Sequence, residues 1–420
     1  MQIRIPDVNL FKKQALRWAN LFDVCAIYDS NNFEDSYSEF DLLIAVDYKD
    51  KLQANYGNAF EKLEGFRTNN PGWIIGGLGY DLKNETEDLY SHNEDHILFP
   101  DLFFFSPKHL LLLKDSTLQI KSSDAESIIN EILTTEIIAF EPSLPTDITH
   151  KFNKEEYIKT VNQLKTEISA GNIYEINFCI EFLSESVLIN PVHVYEKLSA
   201  NSPTPFANYF KWFDKFIIGA SPERFLAKRG NKLISQPIKG TAKRSRNADE
   251  DLKSKTELAS HPKERQENVM IVDLVRNDLT KSAKPGTVKV EELFGIYSFK
   301  QVHQMISTVV CEVKEALSVT EILKNTFPMG SMTGAPKIKA MLLIEEYEQT
   351  KRGMYSGALG YISPDNDFDF NVVIRSILYN ASLQYLSFQA GSAITFASDP
   401  EKEYEECILK AEAIRKTLTS

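Results

Sequence analysis

The feature that most constrains the fold is an irregular mixture of short apolar segments and amphipathic helices along 420 residues. Phe40–Val46 and Glu175–Leu183 have the length and composition of buried strands. A helix is predicted to begin after Asn153, because Glu156 completes a capping-box pattern, and to end at Gly171. Because strands and helices do not alternate as in β-α-β units, we predict a large α+β fold, with mixed β-sheets flanked by helices.

Other apolar segments bounded by turn residues are also predicted to be strands: Gly72–Gly79, Leu110–Leu113, Leu118–Lys121, Phe216–Gly219, Phe225–Lys228, Met305–Val313, Ala358–Ser363, Phe368–Ile377 and Leu386–Ala390. The second and third segments of this set are expected to form a hairpin, with the turn at Asp115. Helices are predicted over Glu126–Phe140 and Glu401–Leu418. Lys243–Lys255 is polar and is predicted to be an exposed, mobile loop leading into a helix, whereas Asn268–Val275 is apolar enough to be buried.

The length gives two to three domains' worth of chain. The segment Glu141–His150 carries two prolines and is the best candidate for a linker. We therefore divide the sequence into an N-terminal region, residues 1–140, and a second region, residues 151–416.

Composition argues against several classes of partner and location. Forty-seven basic and fifty-nine acidic residues give a formal charge of −12, which argues against nucleic acid or an anionic membrane as a partner. The apolar runs are far shorter than the roughly 20 residues that span a bilayer, and no signal peptide is recognised at the N-terminus. The four cysteines are far apart and form no CxxC pair, as expected for reduced thiols in a cytoplasmic protein.

Two pairs of glutamates are candidates for a metal site. Glu264 and Glu267 share one face of a predicted helix, and Glu403 and Glu406 do the same in the last helix. If the two faces met, they would suit Mg²⁺, which keeps few protein ligands and shares the rest with water and substrate. The alternative is a solvated charged face, because such pairs are common on helices.

A glutamate and a lysine near glycine are candidates for acid–base and nucleophilic chemistry. Glu223 lies in SPERF and Lys239 in PIKGT, sixteen residues later. A lysine attacks only when it is neutral, and nearby cations such as Lys243 and Arg244 are expected to lower its pKa, as is burial. A structural ion pair is the alternative.

A third motif, GSMTGAPK at residues 330–337, has backbone N–H groups suited to an anion, although a plain turn is the alternative. Arg375, Gly391 and Lys410 form a further candidate set, in which the arginine gives two-point recognition of a carboxylate. His92 and His96 have HxxxH spacing but lie in a polar loop and are interpreted as solvated.

The order of these motifs is more specific than any one of them. SPERF, PIKGT, the Glu264/Glu267 pair before MIVDLVRNDL, GSMTGAPK, the GALGYIS and VVIRS segments and the acidic last helix together resemble the chorismate-utilising enzymes. That family includes anthranilate, aminodeoxychorismate, isochorismate and salicylate synthases. The resemblance covers residues 151–416, and AIYDS and SEFDLLIA resemble the N-terminal part of the amidotransferase-coupled members. It implies an anthranilate synthase component I-like fold.

Within the family, PIKGT is the discriminating motif. Anthranilate synthases have a small residue where Lys239 stands, whereas the aminodeoxychorismate synthase component I branch has lysine. Asn268 after Glu267 favours the same branch. The water-using relatives place a lysine base where Glu175 stands, which argues against isochorismate and salicylate synthesis. The resemblance therefore implies Mg²⁺-dependent amination of chorismate at C4, towards p-aminobenzoate and folate, with anthranilate synthase component I as the alternative.

The resemblance also implies roles for individual residues. Lys239 would be the nucleophile and Glu223 the general acid, and the four glutamates would hold Mg²⁺. Substrate contacts would come from Thr241, Thr333, Tyr361, Arg375, Gly391 and Lys410. Because no cysteine lies in a glutaminase-type elbow, a separate glutamine amidotransferase subunit would supply ammonia.

Two departures from the family pattern bear on these roles. Many relatives have histidine where Gln304 stands, and here His303 is one residue earlier, where a buried, hydrogen-bonded histidine is expected. Ser30 occupies the position of a tryptophan-site serine in relatives. Since Tyr28 and Asp29 replace the usual residues before it, tryptophan is expected to have a structural role there, without feedback inhibition.

Overall fold

The computed structural model describes residues 1–138, 147–300 and 302–419. Its strands, in chain order, are β1 Gln2–Arg4, β2 Val24–Asp29, β3 Leu42–Ala54, β4 Ile74–Leu78, β5 Leu102–Lys114, β6 Thr117–Lys121, β7 Thr149–His150, β8 Glu175–Ser184, β9 Phe206–Trp212, β10 Lys215–Ser221, β11 Arg224–Arg229, β12 Lys232–Gln236, β13 Ile238–Lys243, β14 Lys289–Ser298, β15 Val302–Glu312, β16 Gly334–Ala335, β17 Ala358–Ile362, β18 Phe368–Val372, β19 Ser376–Asn380 and β20 Tyr385–Thr395.

The α-helices, in chain order, are α1 Val8–Asn20, α2 Ala59–Asn69, α3 Lys83–Thr86, α4 Ala125–Thr134, α5 Lys154–Ser169, α6 Pro191–Asn201, α7 Ala248–Ser260, α8 Pro262–Ser282, α9 Val319–Thr326, α10 Lys337–Tyr347 and α11 Pro400–Thr419. Helix α5 starts with the predicted capping box, in which the Asn153 side chain accepts from the Glu156 N–H and the Glu156 carboxylate accepts from the Asn153 N–H. Such caps contribute about 1 kcal/mol to the stability of a helix.

The strands form one continuous hydrogen-bonded sheet that divides into two arms at the long strand β5. One arm runs β5-β3-β2-β9-β10-β19-β20-β8, and the other runs β5-β4-β17-β18-β11-β12-β15, with all these neighbours antiparallel. The mixed α+β class predicted from the sequence is confirmed.

Strands of the first arm alternate their side chains between two apolar cores. In β2, Val24 and Ala26 contribute to the core shared with residues of the second arm, such as Leu226. Cys25 and Ile27 point to the opposite face and pack in the core that includes residues of α1, α4, α5, α6 and α11. This period-two burial is why strand-like segments of the sequence are almost wholly apolar: both faces of the first arm are covered.

The two predicted regions share the sheet. Strand β2 of the N-terminal region pairs with β9 of the second region, and β4 pairs with β17. The boundary near residue 140 is therefore not a boundary of the sheet. Residues 141–146 of the proposed linker lie outside the described residues, and Thr149–His150 pairs with β8.

Most local predictions hold; besides the end of helix α4, two need correction. The hairpin around Asp115 is confirmed, since β5 and β6 pair across it, and helix α4 ends at Thr134, earlier than expected. The first correction concerns Lys243–Lys255, which was expected to be a loop: Asn247 caps two backbone N–H groups and starts helix α7 directly after β13. The second concerns Phe368–Ile377, which is two strands rather than one.

Within the described residues, no helix has the length and apolar character needed to cross a membrane. All four cysteines are buried and free of disulfide bonds.

Candidate active site

Lys239 lies on β13 beside Glu175, the first residue of β8. The lysine Nζ and the Glu175 Oε1 are 2.6 Å apart, and the two side chains are only 10% and 3% exposed. Burial disfavours the charged ammonium, but the carboxylates of Glu175 and Glu267 outweigh burial, so the pKa of Lys239 is raised above its ordinary value. Lys239 is therefore an ammonium in this state.

This result corrects the prediction that cations lower the pKa of Lys239. Arg244 donates instead to Asp251, with 2.8 Å between Nη2 and Oδ2, and Lys243 is exposed. Neither cation faces the Lys239 ammonium, whereas two carboxylates do.

Gly240 allows β13 to pass close to helix α8. Its φ of +92° lies in the region that favours glycine, and a Cβ there would be 3.0 Å from Glu264 Oε2. The register of β13 against β15 shifts between Ile238 and Thr241, as in a β-bulge. The glycine of PIKGT therefore brings Lys239 and the glutamate helix together.

Glu223 lies in the turn between β10 and β11 and is 4% exposed. Burial raises its pKa to about 7, against the lowering effects of a hydrogen bond from Ser331 and the charges of Lys239 and Arg375. Ser331 Oγ donates to Glu223 Oε1 at 2.6 Å. A carboxylic acid with a pKa near neutrality is suited to give up a proton at pH 7 and take it back.

Arg375 lies in the connection between β18 and β19, where its φ is +50°. A left-handed backbone is uncommon for arginine, and it breaks the strand predicted across this residue. Burial lowers the pKa of Arg375, and the charge of Glu223 opposes this. Among the described residues, no carboxylate is within ion-pairing distance of its guanidinium. An arginine held this way has its two-point donor face available for a carboxylate ligand.

Gly391 on β20 marks a close approach of three elements. A Cβ at this position would be 2.5 Å from Cys179 Sγ on β8, so only glycine fits. The carbonyl of Gly391 accepts from Lys410 Nζ of α11 at 2.8 Å. The Cys179 thiol also donates to the hydroxyl of Tyr355 at 3.5 Å. Strand β20, the last helix and Tyr355 therefore meet beside the predicted carboxylate-binding glycine.

Lys263 of α8 links this helix to α11 at the two predicted glutamate pairs, Glu264 with Glu267 and Glu403 with Glu406, which we call the glutamate quartet. Lys263 Nζ is 3.2 Å from Glu403 Oε1 and 3.6 Å from Glu267 Oε1. Lys410 Nζ is 2.7 Å from Glu406 Oε1. The two predicted helix faces do meet, so these glutamates do not simply form separate solvated surfaces.

Burial and mutual repulsion perturb the quartet. Burial raises the pKa of Glu267 to about 7, and Glu175 and Glu264 add repulsion, while Lys239 and Lys263 oppose it. Burial also raises the pKa of Glu264. For Glu406, burial acts upward but Lys410 dominates, and the pKa is lowered. The site thus concentrates negative charge in a partly dry environment, which favours binding of a cation.

Whether these residues fit Mg²⁺ can be judged from Glu267. Its Oε1 is buried and accepts no hydrogen bond within the described part of the chain. In that same part, no three acidic, histidine or cysteine side chains are grouped closely enough to hold a metal ion. The arrangement is therefore not a closed cage, but an open site in which Glu267 Oε1 accepts no hydrogen bond and has the Lys263 ammonium 3.6 Å away. Such a site is compatible with the way Mg²⁺ uses one or two carboxylates.

The two threonines predicted as substrate contacts, Thr333 and Thr241, differ in their surroundings. Thr333 is fully buried, and its hydroxyl donates to the Gly330 carbonyl at 3.1 Å within its own loop. Its carbonyl accepts from the Asn177 N–H, which fixes the loop to β8. Thr241 is exposed on β13.

His303 and Gln304 lie where many relatives have a histidine at the second of these positions. His303 is buried between Ser298 Oγ at 2.8 Å and Asp251 Oδ1 at 3.2 Å, as expected for a hydrogen-bonded histidine. Gln304 pairs with Thr241, and its Oε1 is buried without a hydrogen-bond partner among the described residues.

Residues 11–416 match the family model described as chorismate binding enzyme.

The chain belongs to the chorismate-binding enzyme family.

Relatives within this family carry two names. Aminodeoxychorismate synthase component 1 of Bacillus subtilis is 31% identical over 364 residues, which are 83% of this chain and 77% of the relative. Anthranilate synthase component 1 of Thermus thermophilus is 31% identical over 388 residues, which are 89% of this chain and 83% of the relative. Similarity to relatives thus identifies the family but does not choose between its aminating members.

The fold comparison agrees with the predicted fold. The crystal structure of anthranilate synthase component I from Streptococcus pneumoniae superposes with a TM-score of 0.78 at 27% identity, covering 91% of this chain and 93% of that one. The chain has the anthranilate synthase component I fold of the chorismate-binding enzymes.

One predicted substrate contact is not at this site. The ring of Tyr361 packs against Trp73 and Phe40, with ring centroids 5.4 and 5.9 Å away. It lines a cavity away from Lys239, whose wall also includes Ser30, Ser38 and Phe40. We call this the second cavity, to distinguish it from the site around Lys239. The placement of Tyr361 beside Arg375 is therefore corrected: Tyr355, in the preceding loop, is the tyrosine next to Gly391 and Cys179.

Four residues of the site were missed as participants: Glu175, Lys263, Ser331 and Tyr355. Ser331 could have been found, because it belongs to the GSMTGAPK motif. Lys263 directly precedes Glu264 and could have been considered as a counter-charge. Glu175 stands where the water-using relatives have a lysine base, and that correspondence could have placed it at the site. Tyr355 reaches the site only through loop packing, which leaves no local signal in the sequence.

Proposed function

We propose that the chain is an aminodeoxychorismate synthase component I, which aminates chorismate at C4 and retains the enolpyruvyl group. The observation that carries the proposal is the position of Lys239, a nearly buried lysine that interacts electrostatically with both Glu223 and Glu267. A lysine in that place supplies a nucleophile that the site would otherwise lack.

In the proposed reaction, Lys239 attacks C2 of chorismate while Glu223 protonates the departing C4 hydroxyl. Ammonia then adds at C4 and expels the lysine, and Glu223 takes back a proton. The near-neutral pKa of Glu223 suits both roles. A covalent intermediate divides one difficult substitution into two easier ones.

We further propose that Arg375 and Lys410 bind the carboxylates of chorismate. Glu267 and Glu406 would hold Mg²⁺, with Glu264 and Glu403 near it or bound through water. The bound metal would supply positive charge for the ring carboxylate. The buried Glu267 oxygen that accepts no hydrogen bond and the unpaired guanidinium of Arg375 support this division of roles among the described residues.

Ammonia is proposed to come from a separate glutamine amidotransferase subunit. All four cysteines are buried, whereas a glutaminase nucleophile must reach its substrate. The name "component 1" of the Bacillus subtilis relative also describes that protein as one part of an assembly.

The second cavity is proposed to hold tryptophan as a structural ligand. Ser30 Oγ is buried there without a hydrogen-bond partner among the described residues, and Tyr361 and Phe40 offer aromatic walls.

Product analysis tests the main proposal. The protein is incubated with chorismate, ammonium and Mg²⁺, and the products are separated and weighed by mass spectrometry. An aminated product that retains the enolpyruvyl ether is expected. Anthranilate with an equal amount of pyruvate would instead establish the second candidate, anthranilate synthase component I, which relatives of similar identity support.

A further inference from the structure

The Lys239–Glu175 pair poses a chemical problem for the proposed nucleophile. An ammonium has no lone pair, so Lys239 must lose a proton before or as it attacks. Yet the carboxylates around it keep its pKa raised. The proton therefore has to pass to a group inside the site.

The charged groups that act on Lys239 come from four elements: Glu175 of β8, Glu223 of the β10–β11 turn, Glu267 of α8, and Glu406 and Lys410 of α11. Of the carboxylates among the described residues, only Glu175 is within 4.0 Å of the Lys239 Nζ. Glu223 is already assigned to the leaving hydroxyl. Contact distance thus singles out Glu175.

Glu175 is also held in place. Its backbone pairs with Ala335 on one side and Thr395 on the other, so β8 is an interior strand at this residue. It is 2% exposed, and its Oε2 is buried without a hydrogen-bond partner among the described residues. One oxygen contacts the lysine and the other is unoccupied, which leaves the carboxylate free to accept a proton.

We propose that Glu175 accepts the proton of Lys239 as its Nζ attacks chorismate, holds it during the covalent stage, and returns it when the lysine is released. This inference rests on the proposed function, because it requires Lys239 to be the nucleophile.

The proton and electron balance closes over one turnover. An N–H bond of Lys239 breaks and an O–H bond of Glu175 forms. The freed lone pair makes the N–C2 bond, the ring electrons shift, and the C4–O bond breaks as Glu223 gives its proton to form water.

In the second half, ammonia forms the N–C4 bond and the C2–N bond breaks, which releases Lys239 as a neutral amine. The new C4 ammonium gives a proton to the Glu223 carboxylate. Glu175 returns its proton to Lys239, so both acids and the lysine end as they began.

Burial supports such an exchange. Two separate charges in a dry site are costly, and a neutral amine beside a neutral acid is a low-charge alternative that needs no solvent. A proton passed over 2.6 Å between heavy atoms is within the range of direct transfer.

Glu175→Gln tests the proposal, with Glu181→Gln as the matched control. Both glutamates are buried on the same face of β8, but Glu181 bonds Ser387 rather than a lysine. We expect Glu175→Gln to lower kcat for C4 amination about 100-fold at pH 7, with KM changed less than about threefold. The loss should shrink as pH rises towards 9.5, because Lys239 can then lose its proton to solvent. Glu175→Asp, which keeps a carboxylate, should recover part of the rate.

A second readout follows the adduct itself. Enzyme and chorismate are mixed with Mg²⁺ but without ammonia, quenched, and weighed as intact protein. The mass gain of chorismate minus water should form more slowly in Glu175→Gln by the same factor as kcat. Thermal melting of each variant distinguishes a folding defect from loss of the proton acceptor. A folding defect would lower activity equally at all pH values.

The outcomes are distinguishable. If wild-type protein makes no C4-aminated product, the proposed function fails and the inference fails with it. If wild-type protein is active and Glu175→Gln matches it in kcat and pH profile, only the role of Glu175 is overturned. The same holds if its rate loss is independent of pH or equals that of Glu181→Gln.

Discussion

Ser331 donates a hydrogen bond of 2.6 Å to Glu223, and so joins the GSMTGAPK loop to the proposed general acid. A hydrogen bond to the ionised carboxylate favours ionisation and lowers the pKa. Burial acts more strongly in the opposite direction, and the balance leaves the pKa of Glu223 at about 7. The loop therefore sets the pH range in which the acid is protonated.

Removing that hydroxyl should move the pH profile. In Ser331→Ala, the pKa of Glu223 rises above about 7, so the acid stays protonated to higher pH and the alkaline limb of kcat shifts upward. The control is Ser235→Ala, a buried serine whose hydroxyl donates to the Phe225 carbonyl instead. An unchanged or downward-shifted limb in Ser331→Ala would contradict the assignment of Glu223 as the acid.

Replacing the nucleophile should abolish C4 amination. Lys239→Ala is expected to lower the rate at least about 1,000-fold, because the route through a covalent adduct is lost. Lys243→Ala, an exposed lysine on the same strand, should retain near wild-type activity. Product formation and intact protein mass are both measured. Full turnover by Lys239→Ala would refute the covalent mechanism.

Loss of the Glu267 carboxylate should weaken Mg²⁺ binding. At a concentration 100 times its Kd, a ligand stabilises the folded state by about 2.7 kcal/mol, so Mg²⁺ should raise the melting temperature of the wild-type protein. We expect Glu267→Gln to lose most of that increase. The exposed Glu257→Gln on α7 is the control. An equal increase in both variants would place the metal elsewhere.

Arg375 should act mainly in binding. Arg375→Lys keeps a positive charge and a similarly constrained backbone but loses the planar two-point donor, so KM for chorismate should rise about tenfold with a smaller change in kcat. Arg276→Lys, on the exposed face of α8, is the control for an arginine-to-lysine substitution outside the site. Steady-state kinetics give both constants, and an unchanged KM would remove Arg375 from the substrate contacts.

The second cavity can be tested for its proposed ligand. Protein purified without added tryptophan is denatured, and the released small molecules are weighed. Tryptophan is expected at close to one equivalent, and Ser30→Ala should contain less of it or melt at a lower temperature. Ser38→Ala, also in the lining, is the control. Absence of tryptophan, together with no change in melting on its addition, would count against the ligand.

The sequence predicted the fold class and much of the site because its strongest signals are local. The capping box at Asn153 and the hairpin at Asp115 depend on nearby residues alone, and both are present in the structure. The order of SPERF, PIKGT and GSMTGAPK indicated the family, and the match to its family model confirms it. Helical spacing likewise predicted that Glu264 and Glu267 share one face of their helix.

What the sequence could not give depends on long-range packing. Glu175, sixty-four residues away along the chain, and Glu267 raise the pKa of Lys239 against burial, and no local pattern predicts the contact with Glu175. The resemblance implied Tyr361 as a substrate contact, whereas Tyr355 of the preceding loop is the tyrosine whose hydroxyl accepts from the Cys179 thiol. The left-handed backbone of Arg375, which splits an apparently continuous strand, is likewise a consequence of tertiary structure.

The sharing of one sheet by the two halves of the chain limits how this protein can be divided. A fragment beginning at residue 151 would lack β2 and β4, and would present the backbone edges of β9 and β17 to solvent. Such long apolar edges invite pairing with other chains. The front third, in which none of the proposed catalytic residues lies, thus covers two strand edges that a fragment would expose.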